Sequence, residues 1–336
     1  MSTLYIDRQG SALHTASGVL HITTPDGRSD RRLPIKYIDR VVLRADTQLS
    51  SNVLCALAES GVNVLALGGR GGRQIAQITG AAHNDAKLRW QQVLTLSQPD
   101  ACCQLASAII SAKVRRQLSA LEHLATQRPD LRKPLHDGQQ KLQRIVQTLK
   151  SAATDTYELN QLRGLEGAAA AGYFEAYFSA FAPALGAPGR NRRPPRDPVN
   201  AVLSLGYTML CAQATAACWS AGLDPALGAL HTLSHARPAL ACDIMEPFRP
   251  AVDLWVWELF RQGTLRAEHF GHDGSGACLL GKAGRSYFYA AWEQYTRPHQ
   301  RSLLRYARAV AQYFSNGTPP QAWAHLQDPH PEQTQD

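Results

Sequence analysis

The sequence has little cysteine and no paired cysteine motif. Its seven cysteines form an odd count, no two are spaced as C-x-x-C, and most have apolar neighbours, as in LCALA and AACWS. Cysteines of this kind are typical of core positions in a reducing compartment. The pattern predicts a cytoplasmic protein and argues against a cysteine-bound zinc site.

Long apolar runs are also missing. The chain has no run of about 18 apolar residues, the length that predicts a membrane span. The N-terminal sequence MSTLYIDRQG lacks the basic start and apolar stretch of a secretory signal, so no signal peptide is expected. Acidic residues are fewer than basic ones, 27 against 35, and the net charge of +8 allows a polyanionic partner without selecting one.

Two kinds of periodicity divide the chain. Before residue 83, short segments rich in β-branched or aromatic residues alternate with turn sequences: LYI, ALHTA, VLHITT, LPIKYI and VVLR. They predict a β-meander, with one short helix in SSNVLCALAESG that begins near Ser50 and ends at Gly61. After roughly residue 83 and as far as about residue 316, apolar residues recur at the three- and four-residue spacing of helices.

These patterns predict an α+β chain with a small N-terminal β-domain and a larger all-helical C-terminal domain. The β-domain is assigned to residues 1–82, a linker to 83–95 and the helical domain to 96–327. The remaining residues, 328–336, are polar and contain two prolines, so a disordered tail is expected there.

A carboxylate falls on the apolar face of the predicted helix around residue 160. Glu166 shares this face with apolar residues at helical spacing, namely Leu159, Leu162, Ala169, Tyr173 and Tyr177. A carboxylate in a core-facing position is costly unless it is paired, protonated or bound to a metal. An ion pair with Arg163 or another base is the alternative to a metal.

Two further segments contribute possible metal ligands. In GLDPALGALH, His231 follows a break at Gly222 and Pro225, although His235 is as good a candidate and a core histidine is the alternative. In DIMEPFRPAVD, one helical turn would place Asp243 and Glu246 on the same side. A divalent cation would relieve their repulsion, and a salt bridge with Arg249 is the alternative.

Together these segments suggest one metal site. They supply one Glu, one His and an acidic pair on separate helical segments, which suits Mg²⁺ or Mn²⁺, and the His shifts the preference toward Mn²⁺. Between them lies RNRRPPRD, whose four arginines can pair with phosphates without reading bases. They are Arg190, Arg192, Arg193 and Arg196. A solvated basic loop is the alternative, and the uncharged stretch from Pro198 to Leu223 predicts a central buried helix.

Four sequence blocks, in order, resemble the signatures of a known family. LRGLEGAAAAGYF, RRPPRDPVNAVLSLGYTML, GLDPALGALH and DIMEPFRPAVD are similar to successive blocks of the CRISPR-associated integrases, the first-numbered family of Cas proteins. LYIDRQGSALHTASGVLHI, IDRVVL and GVNVLAL resemble the β-domain of that family. The resemblance covers nearly the whole chain, although residues 83–150 match no signature.

The resemblance implies a function in antiviral defence. Members of the family dimerise, which assigns dimerisation to the β-domain and metal-dependent catalysis to the helical domain. Two dimers assemble around a dimer of a small companion Cas protein into a heterohexamer, which inserts short double-stranded DNA (the prespacer) into a CRISPR repeat. The same metal site, with Mg²⁺ or Mn²⁺, would also act as an endonuclease.

The resemblance also assigns individual residues. It makes Glu166, His231 and Glu246 the catalytic metal ligands, with Asp243 as a supporting acid. It places other residues beside DNA, in addition to the arginine run: Arg163, Tyr207 and Arg249. Two other functions stay open, a repair nuclease acting on branched DNA and a non-catalytic DNA-binding scaffold.

Overall fold

A computed structural model describes residues 3–26, 30–68, 74–78, 86–151, 157–191, 193–231 and 238–317. The chain divides into two compact units. One consists of Met1–Asn84 with Tyr289–His299, and the other of Asp85–Phe288 with Gln300–Asp336. The predicted α+β class, β-rich first and mostly helical afterwards, is confirmed. The proposed tail over 328–336 lies outside the described residues.

The first unit contains two four-stranded sheets. Its strands are β1 (Thr3–Ile6), β2 (Ser11–Ala16), β3 (Val19–Thr23), β4 (Asp30–Pro34), β5 (Arg40–Leu43), β6 (Thr47–Leu49), β7 (Asn63–Gly68) and β8 (Gln74–Ile78). One sheet has the order β1-β5-β7-β8 and the other β4-β3-β2-β6. Alternate residues of β2 and β3 enter the core, where Leu13 and Leu20 are fully buried.

The predicted meander is wrong in its connections. The pairs β1–β5, β5–β7 and β2–β6 are parallel, and parallel neighbours cannot be joined by a tight hairpin. Helix α1 (Ser51–Glu59) lies in the connection between β5 and β7 and forms where it was predicted, ending before Gly61 at φ +72°. LPIKYI is a strand only as far as Pro34 and continues as a 3₁₀ turn, because proline has no N–H with which to extend the ladder.

The second unit is built mainly from helices. They are α2 (Ala86–Leu96), α3 (Pro99–Gln127), α4 (Arg132–Ser151), α5 (Leu159–Phe178), α6 (Pro198–Ser220), α7 (Ala239–Met245), α8 (Arg249–Arg261) and α9 (Lys282–Asn316), whose segment 289–299 belongs to the first unit. A short hairpin of β9 (Phe270–His272) and β10 (Cys278–Leu280) interrupts the predicted all-helical order.

The range 83–95, predicted as a linker, contains helix α2 from Ala86 onward. The buried Gln92 anchors this helix, because its Nε2 donates to the main-chain oxygens of Asp224 and Leu227, both at 2.9 Å. Its Oε1 accepts from Asp224 N at 2.9 Å. The helix therefore belongs to the second unit, and the other domain limits remain a proposal.

Helix α6 is the uncharged central helix. Its N-terminus is capped by Asp197, whose carboxylate accepts from Asn200 N at 2.8 Å. Of the described helices, only α6 has the length and apolar composition of a membrane span. Its buried side chains pack against α7 and α8, as in the core helix of a folded domain.

Candidate metal centre

A buried lysine links two of the predicted ligands. Lys113 of α3 is 4% exposed, and its ammonium forms an ion pair with Glu166 Oε1 of α5. The same nitrogen lies 2.6 Å from Glu246 Oε2, which begins the 3₁₀ turn Glu246–Phe248 after α7. The two carboxylates therefore meet at one cation. Sequence reasoning missed Lys113, although it falls in the apolar stripe of Ile109 and Ile110.

Glu166 does not pair with Arg163, the base proposed from the sequence. Arg163 donates from Nε and Nη2 to the main-chain oxygen of Leu230, at 3.1 and 2.9 Å. That carbonyl belongs to the residue before His231. Arg163 therefore holds the segment that carries the histidine, and Glu166, whose side chain is 28% exposed, faces Lys113.

His231 lies at the end of an irregular loop rather than on a helix as the sequence suggested. Because the loop lacks helical hydrogen bonds, the carboxylate of Asp243 accepts from its main-chain N–H groups instead. Its Oδ2 accepts from Ala229 N and Leu230 N at 2.6 and 3.0 Å, and its Oδ1 accepts from His231 N at 3.0 Å. The loop also packs tightly on α7, since a Cβ on Gly228 would lie 2.7 Å from Ala239 C.

The imidazole of His231 has a fixed orientation. Its Nδ1 lies 2.6 Å from Asp243 Oδ1, and its Nε2 faces Glu246 Oε1 at 3.9 Å. Burial alone would lower the pKa of His231, but the hydrogen bond and charge of Asp243, with the charge of Glu246, raise it above its ordinary value. A neutral ring with its proton on Nδ1 would present the Nε2 lone pair for ligation. His235 lies outside the described residues.

Glu246 is 3% exposed and carries two basic partners. Arg249 Nη1 donates to Oε1 at 2.7 Å, so the salt bridge considered from the sequence is present. Although burial alone would raise the pKa of Glu246, Arg249 and Lys113 hold it below its ordinary value. Among the described residues, Glu246 Oε2 forms an ion pair with Lys113 but accepts no hydrogen bond.

A cluster of buried polar side chains lies next to Arg249 and helps to hold its guanidinium in place. The Arg249 guanidinium lies 4.2 Å from the centre of the Tyr207 ring. The Tyr207 hydroxyl donates to Asp253 Oδ1, and Tyr173 donates to Asp253 Oδ2 at 3.0 Å. Burial raises the pKa of Asp253 to about 6, against the opposing effects of the two tyrosines and Arg249. The cluster fixes Tyr207 within the core, where it is 8% exposed.

The predicted DNA-contacting arginines separate into two groups. Arg190 turns inward, donates to Asn200 Oδ1 at 2.6 Å and lies 5.6 Å from the centre of the Tyr207 ring. Arg193 and Arg196 are exposed, while Arg192 lies outside the described residues. Arg163 and Arg249 make their hydrogen bonds inside the protein, whereas Arg193 and Arg196 reach solvent.

The donor types around Lys113 fit a divalent cation. Two carboxylates and an imidazole nitrogen, without sulfur, suit Mg²⁺ or Mn²⁺. The buried Glu246 Oε2, which has only an ion pair, is an oxygen that a cation could take. In the part of the chain that the structure describes, no three His, Cys, Asp or Glu side chains lie close enough to hold a metal as they stand. Lys113 holds the position that the carboxylates share.

The chain is similar in sequence to one known protein family. The family described as CRISPR associated protein Cas1 matches residues 4–294. A CRISPR-associated endonuclease Cas1 of Thermodesulfovibrio yellowstonii is 33% identical over 307 residues, which cover 91% of this chain and 94% of the relative.

Two solved structures share the fold at lower identity. A casposase bound to integration product is 21% identical, with a TM-score of 0.85 and coverage of 100% of this chain and 96% of the casposase. A chain of a Cas6-RT-Cas1–Cas2 complex is 24% identical, with a TM-score of 0.78 and coverage of 95% of this chain and 35% of the larger one.

Proposed function

This chain belongs to the CRISPR associated protein Cas1 family, and from that premise we propose that it is a metal-dependent DNA integrase and endonuclease. It would insert short double-stranded DNA into a CRISPR repeat in the cytoplasm, as a step of antiviral defence. The observation that supports this most strongly is that Glu166 and Glu246 meet at the buried Lys113 ammonium while His231 Nε2 lies 3.9 Å from Glu246 Oε1, so that side chains from three separate elements come together.

The metal ligands in this proposal are the three residues carried over from the family signatures. Glu166 and Glu246 offer carboxylate oxygens, and His231 offers Nε2 because Asp243 holds Nδ1. A bound Mg²⁺ or Mn²⁺ supplies neutralising charge at the phosphate and a lower pKa for the attacking hydroxyl. Asp243 acts as a supporting acid, since its oxygens are occupied by the histidine and its loop.

The reaction is an exchange of phosphodiester bonds. The 3′-hydroxyl of the incoming DNA loses its proton and its oxygen forms a new bond to a phosphorus of the repeat. The bond from that phosphorus to the neighbouring 3′-oxygen breaks, and the leaving strand gains a 3′-hydroxyl. One phosphodiester replaces another, so no nucleoside triphosphate is needed. With water as the attacking group, the same site would cut DNA.

The rest of the site positions these groups. Arg249 and its Tyr207–Asp253 support hold Glu246, and Arg163 holds the backbone beside His231. The exposed Arg193 and Arg196 would pair with DNA phosphates. For assembly, we propose a homodimer that joins a small companion Cas protein in a heterohexamer, in keeping with the likeness to a Cas1–Cas2 complex.

The ligand set is tested by a strand-transfer assay with MnCl₂. A labelled duplex with a 3′-hydroxyl end is incubated with a repeat-containing target and the variants Glu166→Gln, His231→Ala and Glu246→Gln. We expect each variant to lose joining and cutting while keeping the wild-type circular dichroism spectrum. Matched controls are Glu175→Gln on α5, Glu258→Gln on α8 and His269→Ala, which lie outside the proposed site. Full activity in all three ligand variants would overturn the assignment.

A second candidate function is a non-catalytic DNA-binding scaffold. It is favoured by the ion pairs that Glu166 and Glu246 already form with Lys113 and Arg249. In a scaffold, the protein would bind DNA but would show neither joining nor cutting with any divalent cation. Cutting without joining would instead indicate a nuclease for branched DNA.

A further inference from the structure

Lys113 has the position and the charge to affect metal binding at the proposed site. It comes from α3 and reaches across to carboxylates on α5 and on the turn after α7. The side chain is almost fully buried, so its charge is compensated by these two carboxylates rather than by water. Lys113 is therefore an internal counter-ion of the acidic pair.

The two carboxylates depend on Lys113 to different degrees. Glu246 has a second base, because Arg249 binds Oε1 while Lys113 binds Oε2. For Glu166, Lys113 is the only base within ion-pair distance in the part of the chain that the structure describes. Removing the lysine would leave Glu166 and Glu246 facing each other with less positive charge between them.

From this geometry we propose that Lys113 is a positioning residue that competes with the divalent cation for Glu166 and Glu246. The inference rests on the proposed function. A cation that takes oxygens from both carboxylates needs the space that the ammonium holds, so metal binding must first move Lys113. The lysine keeps the two acidic elements together before the metal arrives, and it weakens metal affinity in doing so.

The expected consequence is a gain in metal affinity when the charge is removed. Two unit charges at ion-pair distance attract each other strongly enough near a protein surface that losing the competing ammonium should tighten Mn²⁺ binding at least about tenfold. If the charge of Lys113 played no part, replacing it by an uncharged side chain of similar length would give no such gain.

The test is isothermal titration of MnCl₂ into the full chain. Lys113→Met and Lys113→Gln remove the charge with similar length. The matched control is Lys141→Met, which removes an exposed lysine that pairs with Glu175 of α5 at 2.7 Å. Both Lys113 variants should bind Mn²⁺ at least about tenfold more tightly than wild type, whereas Lys141→Met should keep the wild-type Kd. Glu166→Gln should weaken binding in every background.

Thermal unfolding measures the gain in Mn²⁺ affinity independently. Tighter binding means that a fixed MnCl₂ concentration raises the Tm of the Lys113 variants by more than it raises that of wild type. If Lys113→Met does not fold, Lys113→Gln decides the question. Failure of both variants to fold even with MnCl₂ would overturn the inference, because the metal could not then replace the lysine.

The remaining outcomes separate the inference from the function on which it rests. If wild type binds Mn²⁺ through Glu166 but the Lys113 variants bind equally or less tightly, the competition is overturned and the metal site stands. If no variant binds Mn²⁺, or if Glu166→Gln has no effect on binding, the metal site and the inference both fall.

Discussion

Asp253 shows how a single buried residue connects the core to the proposed site. Its carboxylate accepts the hydroxyls of Tyr207 and Tyr173, and the ring of Tyr207 supports Arg249. Arg249 in turn binds Glu246. An ionisable group in the core therefore contributes, through Tyr207 and Arg249, to the position of one of the proposed metal ligands.

Asp253 should also make stability depend on pH. The pKa of Asp253 is raised from 3.8 to about 6 in the folded protein. Its carboxyl group therefore stabilises the folded state fully at pH values below the unfolded pKa, and this stabilisation is lost as the pH rises through the folded pKa. The unfolding free energy of wild type relative to Asp253→Asn should fall by up to about 3 kcal/mol between about pH 4 and pH 7. Urea unfolding across this range measures it.

Tyr177→Phe provides the control for this prediction. It removes a hydroxyl that donates to the main-chain oxygen of Asp253 at 2.8 Å, not to the carboxylate. This variant should therefore keep the wild-type pH slope. If the unfolding free energies of wild type and Asp253→Asn changed in parallel with pH, the carboxylate would be ionised throughout the range and the prediction would be wrong.

At the scale of elements, the contact between the His231 loop and α7 decides whether the site is assembled. A Cβ on Gly228 would meet Ala239 C and Asp243 Oδ2, both at 2.7 Å. Gly228→Ala should therefore push the loop away from α7, lower the unfolding free energy by about 1–3 kcal/mol and weaken Mn²⁺ binding, because Asp243 no longer orients His231.

Gly164→Ala is the matched control, because the equivalent Cβ on α5 meets open space. Alanine there should stabilise the helix by about 0.5–1 kcal/mol. Chemical denaturation and MnCl₂ titration of both variants measure these effects. A Gly228→Ala protein as stable as wild type, with unchanged Mn²⁺ affinity, would contradict the role given to the loop.

The sequence predicts an element well when the residues that determine it lie close together in the chain. Helix α1 and the uncharged α6 follow from spacing and caps within a few residues, and both form where expected. The parallel strand pairs do not, because pairing partners are chosen by crossovers between distant segments. The loop around His231 depends on Asp243, and periodicity does not reveal a hydrogen-bond acceptor from another element.

The same contrast between short-range signals and contacts from distant segments applies to the candidate site. Glu166 was noticeable as a carboxylate in an apolar stripe, whereas His231 and Glu246 were chosen over their neighbours through the family resemblance. Lys113 has a local signal, its position in the apolar stripe of Ile109 and Ile110, but its role depends on carboxylates from two other elements, which spacing within α3 does not reveal. Arg163 and Arg249 were expected at DNA, but the structure engages both in contacts within the protein.

At the scale of the whole molecule, the positive charge is expected to act through the exposed arginines of the segment RNRRPPRD. Replacing Arg193 and Arg196, together with Arg192, by alanine should weaken DNA binding. It should also reduce the slope of log K against log salt by about 0.9 for each phosphate that the variant no longer neutralises. Fluorescence anisotropy at several salt concentrations measures the slope.

Lysine replacements at the same three positions keep the charge and should keep most of the salt dependence, because phosphate pairing does not require base reading. An unchanged slope in the alanine variant would show that this loop does not bind DNA.

The central claim is that Glu166, His231 and Glu246 hold one divalent cation, and anomalous diffraction from crystals soaked in MnCl₂ tests it most directly. We expect a single strong Mn²⁺ peak at roughly 2–2.3 Å from an oxygen of each glutamate and from His231 Nε2. We also expect the Lys113 ammonium to move away from the shared position. A peak elsewhere in the molecule, with Lys113 still joining the two carboxylates, would contradict the claim.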